Sequence, residues 1–240
     1  MSFQIRKRDE RGAANYNWLQ SWHTFSFGRY HDVRHEQFRA LRVMNEDIIQ
    51  PGGGFGMHPH ANMEILTFVL DGSLEHQDSM GNGGLIRPGE VQRMSAGRGI
   101  RHSEMNPSSD EPVHLYQIWL LPNRRDGEPE YEQTSVSLDT SANALHLIAA
   151  PDKIAAAMQI HADAQVLFGA VAAGHRIKHS LNYSRDAWLQ VLSGAVEVSS
   201  STDRSDVASL TAGDGLAVLD EKQLNISATE DSQILLFELG

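Results

Sequence analysis

Apolar residues fall along this chain in short runs, each closed by Gly, Pro, Asn or Asp, and helical periodicity is scarce. The runs are Phe38–Val43, Glu64–Leu70, Leu74–His76, His114–Leu121, Leu145–Ala149, Val166–Val171, Trp188–Leu192, Ala195–Ser199, Gly215–Leu219 and Gln233–Leu239. Many short strands with frequent turn signals predict a β-sandwich or barrel. The best helix candidate is Asp152–Met158, short and alanine-rich, with Pro151 just ahead of it.

The pattern repeats. Ile65–Glu75 and Ala187–Glu197 both read as strand, tight turn at a glycine (Gly72, Gly194), strand. Leu85–Glu90 and Ser209–Asp214 both read as a turn entering a new strand. A repeat this long predicts two copies of one barrel rather than a short-period solenoid. The segment Pro122–Gln133, rich in Pro, Gly and charge, is the expected join.

Composition narrows the chemistry. The chain has 240 residues, 40% hydrophobic and 21% charged, which allows a real core in one large or two modest domains. A net charge of −11 gives no general attraction to phosphate backbones, so direct nucleic-acid binding is not expected. With no cysteine, disulfides, thiolate metal sites and cysteine nucleophiles are excluded, and any metal must sit on His, Asp, Glu or water. The first residues have no apolar run behind their charges, and no stretch approaches the length needed to span a bilayer, so a cytoplasmic protein without membrane attachment is expected.

His58-Pro59-His60 lies in an extended run, and His102-Ser103-Glu104 repeats the i, i+2 spacing. Residues two apart on a strand project from one face, so each pair can present two ligands to a single ion. Glu64 has the same parity as His58 and His60 if that strand continues unbroken, and spacing alone does not choose between Glu64 and Glu104. With 12 histidines in 240 residues, a single H-x-H arises by chance roughly 0.6 times, so the context must carry the argument.

That context is Gly52 six residues before His58, Gly72 after Glu64, and the series Gly97, Gly99, His102, Asn106. It resembles the two motifs of the cupin superfamily, with Gly97 in place of the usual proline and Gly72 one residue late. Within the cupins the chain is similar to the pirin family, and to its bacterial quercetinase-like members, across Trp18–Phe27, Leu41–Asp47, Gly54–His60, Met63–Thr67, Glu75–Asn82, Met94–Gly97, Ile100–Glu104 and Leu115–Trp119. The match covers nearly all of residues 1–122 and the remainder more loosely.

The resemblance implies an all-β bicupin of two jelly-roll barrels with few short helices, residues 1–122 forming the metal-binding domain and 123–240 a second cupin lacking ligands. It implies one mononuclear divalent transition metal on His58, His60, His102 and Glu104, iron(II) first, with zinc, nickel or copper as alternatives. Glu64 then stands behind the ligands. Aligning the turn glycines places Ser180, Asn182, Ile226 and Ala228 opposite the four ligand positions, a set with no strong ligand.

The implied activity is that of a quercetin 2,3-dioxygenase, cleaving a flavonol ring with O2 and releasing CO, with Glu104 as the base and Glu64 as the alternative. The competing expectation is a pirin-type, redox-responsive regulator acting through protein contacts. Two barrels can bury their own edges, so a monomer is expected. Of the remaining candidates, Asn106 and Gln117 could orient ligands through hydrogen bonds. His175 and His179 read as surface or core histidines and His31 and His35 as solvated. Trp22 and His23 are expected to pack across the barrel, and His76 and His114 receive no chemical role. Phe55 and Met57 flank the ligand strand, at a pocket mouth or in packing.

Overall fold

The computed structural model describes residues 2–152, 157–182, 185–200 and 207–240. Among them are 22 strands, and the helical content is two 3-10 turns, Arg8–Glu10 and Thr140–Ala142. No helix among the described residues is long and apolar enough to cross a membrane. The helix expected at Asp152–Met158 lies largely outside the described residues, since 153–156 are not among them. Met158 itself opens a two-residue strand.

The chain divides into two compact units. The first is Gly12–Val136 with Ile160–Ala162, and the second is Met1–Arg11, Ser137–Gln159 and Asp163–Gly240. The division thus differs from a single join after residue 122. The opening strand β1 (Phe3–Arg6) pairs with a strand of the second unit, at Gly215–Val218. The segment Glu130–Ser135 pairs back onto the first, at Glu90–Ser95.

The strands of the first unit are β2 (Gly12–Tyr16), β3 (Leu19–His23), β4 (Leu41–Ile49), β5 (Gly54–His60), β6 (Glu64–Asp71), β7 (Leu74–Asp78), β8 (Gly83–Ile86), β9 (Glu90–Ser95), β10 (Ile100–Met105), β11 (Val113–Leu120) and β12 (Glu130–Ser135). They form a seven-stranded sheet, β12-β9-β6-β11-β4-β3-β2, and a four-stranded sheet, β5-β10-β7-β8. The run expected at Phe38–Val43 is displaced to Leu41–Ile49, because Arg39 adopts φ 52° and ends extension there.

The strands of the second unit are β13 (Ala144–Ala150), β14 (Met158–Gln159), β15 (Ala164–Val171), β16 (Arg176–Ser180), β17 (Asp186–Ser193), β18 (Ala195–Ser200), β19 (Val207–Thr211), β20 (Gly215–Val218), β21 (Gln223–Ala228) and β22 (Ser232–Leu239). Their sheets run β1-β20-β17-β22-β15-β13-β14 and β16-β21-β18-β19. This order is the first unit's order repeated, with β4 matching β15, β6 matching β17, β10 matching β21 and β11 matching β22. In the second unit β1 takes the edge place that β12 takes in the first. The turn glycines Gly72 and Gly194 match too, at φ 74° and 76°, a left-handed conformation suited to glycine.

The interiors differ. In the second unit one continuous cluster of Leu, Ile, Val and Ala fills the space between the sheets, including Leu167, Leu189, Val198, Leu216, Leu224, Ile226 and Leu236. In the first unit Leu19, Ile49, Val69, Leu74, Ile86, Val113 and Leu115 form one cluster, and Ile65, Met94, Ala96 and Ile100 form another. Buried polar side chains also occupy its strands, among them Asn45, Thr67, Gln92, His102, Glu104 and Gln117.

Candidate metal centre

Strand β10 runs between β5 and β7, and register sets what meets. His102 stands opposite His58 on β5, and Glu104 opposite His76 on β7. Between those positions the β5 register slips, so Gly56 and Met57 together oppose Ser103, and Phe55 comes opposite Glu104. This bulge re-aims the strand. Phe55 lines the cavity beside the histidines, whereas Met57 is exposed. Gly54, at the strand's start, has no alternative, since a Cβ there would collide with the Glu104 carbonyl.

The rings of His58, His60 and His102 converge, with ring centroids 4.4–4.8 Å apart. Nε2 of His58 and Nε2 of His102 are 3.0 Å apart, and His102 Nε2 is 4.0 Å from Glu104 Oε2. Nδ1 of His58 lies 2.8 Å from the Gly56 carbonyl, a contact in which Nδ1–H donates and Nε2 keeps its lone pair. Burial and the neighbouring His58 charge lower His60 to about 4, and burial with three surrounding histidines lowers His102 further. Near neutral pH both rings are therefore neutral donors, as metal ligation requires.

Glu104 is fully buried and accepts two hydrogen bonds from Gln117 Nε2, at 2.9 Å to Oε1 and 2.8 Å to Oε2. Trp119 Nε1–H donates to Gln117 Oε1 at 3.2 Å, which orients the amide so that its nitrogen meets the carboxylate. Burial pushes Glu104 up to about 7; the Gln117 hydrogen bond opposes this and Asp47 adds to it.

The donor set fits a divalent first-row metal. Bonds of about 2.1 Å at a right angle hold two nitrogens about 3 Å apart, the separation of the two Nε2 atoms here. Three neutral imidazoles and one carboxylate suit iron, nickel, copper or zinc.

Glu64 is not brought to this cluster. Strand β5 ends at His60, Asn62 turns the chain at φ 53°, and Glu64 begins β6 in the other sheet, so the parity that linked it to His60 is broken. Its carboxylate accepts from Ser95 Oγ at 2.7 Å. Burial raises its pKa, against the pull of Ser95, His161 and Arg93. Asn106 is also elsewhere, donating to the Ile49 and Glu111 carbonyls and bracing the loop before β11.

His76 receives no chemical role from the sequence, yet the fold brings it beside the cluster. It is fully buried, stacks on Tyr131 at 5.0 Å, and sits 5.3 Å from the His102 ring. With His102 and Glu104 it forms a second group of potential ligands. Its ring nitrogens have no hydrogen-bond partner, Asp78 lying 3.7 Å away. Only sheet register, across 28 residues of chain, reveals this placement. His23 packs against Phe27, with ring centroids 5.2 Å apart, and it also lines the cavity and contacts Asn45 Oδ1 through Nδ1 at 3.0 Å.

A cavity of about 630 Å³ opens onto the cluster. Aromatic rings form much of its wall, including Tyr16, Phe27, Tyr30, Phe55 and Trp119, and His58, His60, Glu104 and Gln117 also border it.

In the second unit the matching register places His179 at the His58 position and Leu181, Leu224 and Ile226 at those of His60, His102 and Glu104. This corrects the glycine-based alignment by one or two residues, because the loops differ in length. One histidine remains, and its Nε2 is bonded to Glu238 at 2.8 Å.

Known proteins agree with this architecture. Residues 4–120 match the family model Pirin, and 147–239 match the model described as quercetinase C-terminal cupin domain. The chain is 45% identical over 235 residues to quercetin 2,3-dioxygenase of Escherichia coli K12, covering 98% of this chain and 97% of that one. It superposes on the crystal structure of YhhW from Escherichia coli with a TM-score of 0.92 at 44% identity, covering 99% and 97% of the two chains. It superposes on that bacterial pirin in complex with nickel(II) with a TM-score of 0.90 at 45% identity, covering 99% and 98%. The two units are cupin domains, and the chain belongs to the pirin family.

Proposed function

We propose that the protein is a metal-dependent dioxygenase that opens the ring of a flavonol such as quercetin with O2 and releases CO. The observation that carries this is a large aromatic-walled cavity ending on three converging imidazoles and a buried carboxylate. A relative of 45% identity named quercetin 2,3-dioxygenase supports the substrate class.

His58, His60, His102 and Glu104 would hold the ion, with iron(II) our first choice; the nickel(II) complex of YhhW supports a divalent metal. When bound, the ion would supply Lewis acidity toward the flavonol hydroxyl and a redox route to O2. The chain's own residues supply the rest. Phe27, Phe55 and Trp119 present apolar faces to a planar substrate and exclude water. Glu104, a buried carboxylate at the end of the cavity, accepts the proton of the substrate's 3-hydroxyl as general base. Gln117 holds that carboxylate in place through both oxygens.

The test mixes metal-loaded protein with quercetin in air and follows flavonol absorbance and CO. Saturable bleaching is expected, and Glu104→Gln should lower turnover by about 100-fold or more. A Glu104→Gln protein with full metal and full turnover refutes the base assignment. Absence of bleaching above free-metal controls overturns the enzyme and favours a regulator that binds protein partners.

A further inference from the structure

The cavity's other wall is polar where the fold does not require it. Ser21 and His23 on β3 stand directly across from Asp47 and Asn45 on β4. All four are buried and all four line the cavity. His23 Nδ1 lies 3.3 Å from Ser21 Oγ and 3.0 Å from Asn45 Oδ1, so these three are tied to one another. The group of four sits on the seven-stranded sheet, whereas His58, His60, His102 and Glu104 sit on the four-stranded one.

The second unit serves as a control within the same chain. Through the matched pairings of β11 with β4 and β22 with β15, Asn45 corresponds to Leu167 and Asp47 to Gly169. Their partners His23 and Ser21 correspond to Leu147 and Leu145. The same barrel therefore closes with four apolar residues at these places, and the leucines pack with its core. In the first unit the four polar groups border the cavity in place of that apolar packing, so a ligand that enters the cavity meets them.

We propose that Ser21, His23, Asn45 and Asp47 form a hydroxyl-recognition subsite, selecting flavonols that carry phenolic hydroxyls remote from the oxygen at the metal. This deepens, and rests on, the flavonol reading of the site. Asp47 is an acceptor for phenolic O–H donors, through charge-assisted hydrogen bonds. Asn45 gives its amide oxygen to His23, which leaves its Nδ2 donors for a phenolic oxygen. The aromatic walls take the body of the ligand, and the group of four reads its substitution pattern.

The experiment measures equilibrium binding to iron-loaded protein under argon by quenching of tryptophan fluorescence. The ligands are flavonols with two, one or no hydroxyls on the pendant ring. Affinity should rise by about 10-fold or more from none to two, since a site built to hydrogen-bond a hydroxyl rejects the analogue lacking it. In Asn45→Leu, and in the near-isosteric Asp47→Asn that guards against misfolding, the gradient should shrink to about 2-fold. A gradient that persists in both variants, or a loss equal across the series, overturns the subsite. A protein that binds with the gradient yet never bleaches flavonol in air keeps the subsite and removes the dioxygenase.

Discussion

Glu104 is the residue on which the centre's electrostatics turn. Buried, it is pushed up to about 7, so without a cation it is half protonated near neutral pH. Ligation needs the carboxylate, so metal affinity should rise with pH up to about 7 and level off above it, with one proton released per ion in the lower range. Gln117→Leu, the residue found at the matching place Leu236, removes both donors to Glu104. Metal affinity should then fall about 10- to 100-fold, and the pH plateau should move upward, as competition with a chelating dye across pH would read. An unchanged affinity would sink the orienting role. The shared face of His58 and His60 was legible because alternation survives within one strand, whereas their meeting with His102 is set by the pairing of β5 with β10. What hid Glu64's true place was the turn at Asn62, and what hid His76 was that its neighbour Glu104 is set by pairing and not by sequence distance.

Among the elements, β1 departs most from chain order. It supplies the edge strand of the second unit, and Asp214 ties the chain that follows it. Asp214 accepts from Lys7 Nζ at 2.8 Å, the Arg8 N–H at 2.9 Å and the Thr211 N–H at 3.0 Å. Burial pushes its pKa up, but Lys7 and the two backbone donors outweigh this and hold it below its ordinary value of 3.8. The folded pKa is depressed, so the contribution is present above the unfolded value and is lost as pH falls through the folded one. Asp214→Asn should therefore cost about 1–3 kcal/mol in urea unfolding at pH 7, and the gap between the two proteins should narrow toward pH 3. A gap that is constant with pH would exclude the ionic origin. Ten of the 22 strands could be read from their apolar runs, and the two-copy repeat from its turn glycines. The exchange of β1 could not, because Phe3–Arg6 has no pattern that names its partner and an edge strand's choice is made by pairing alone.

At the scale of the molecule, one architecture carries two interiors. The second unit fills its barrel with a continuous apolar cluster, whereas the first gives part of that space to buried histidines, carboxylates and amides. Each polar group there forgoes the roughly 25 cal/mol per Å² that apolar burial would contribute. A bound ion offsets this by mass action, about 2.7 kcal/mol at a hundredfold excess over its dissociation constant. The stabilisation should be confined to the barrel that holds the ion. Hydrogen exchange with and without metal should show added protection at β5, β7 and β10, with β16, β18 and β21 unchanged. Equal gains at β16 and β21 would mean that His179 recruits a second ion, against the apolar residues at the three other matching positions. The outcome separates a vestigial barrel from a working one, since the strands share an order and differ in what their inner faces carry.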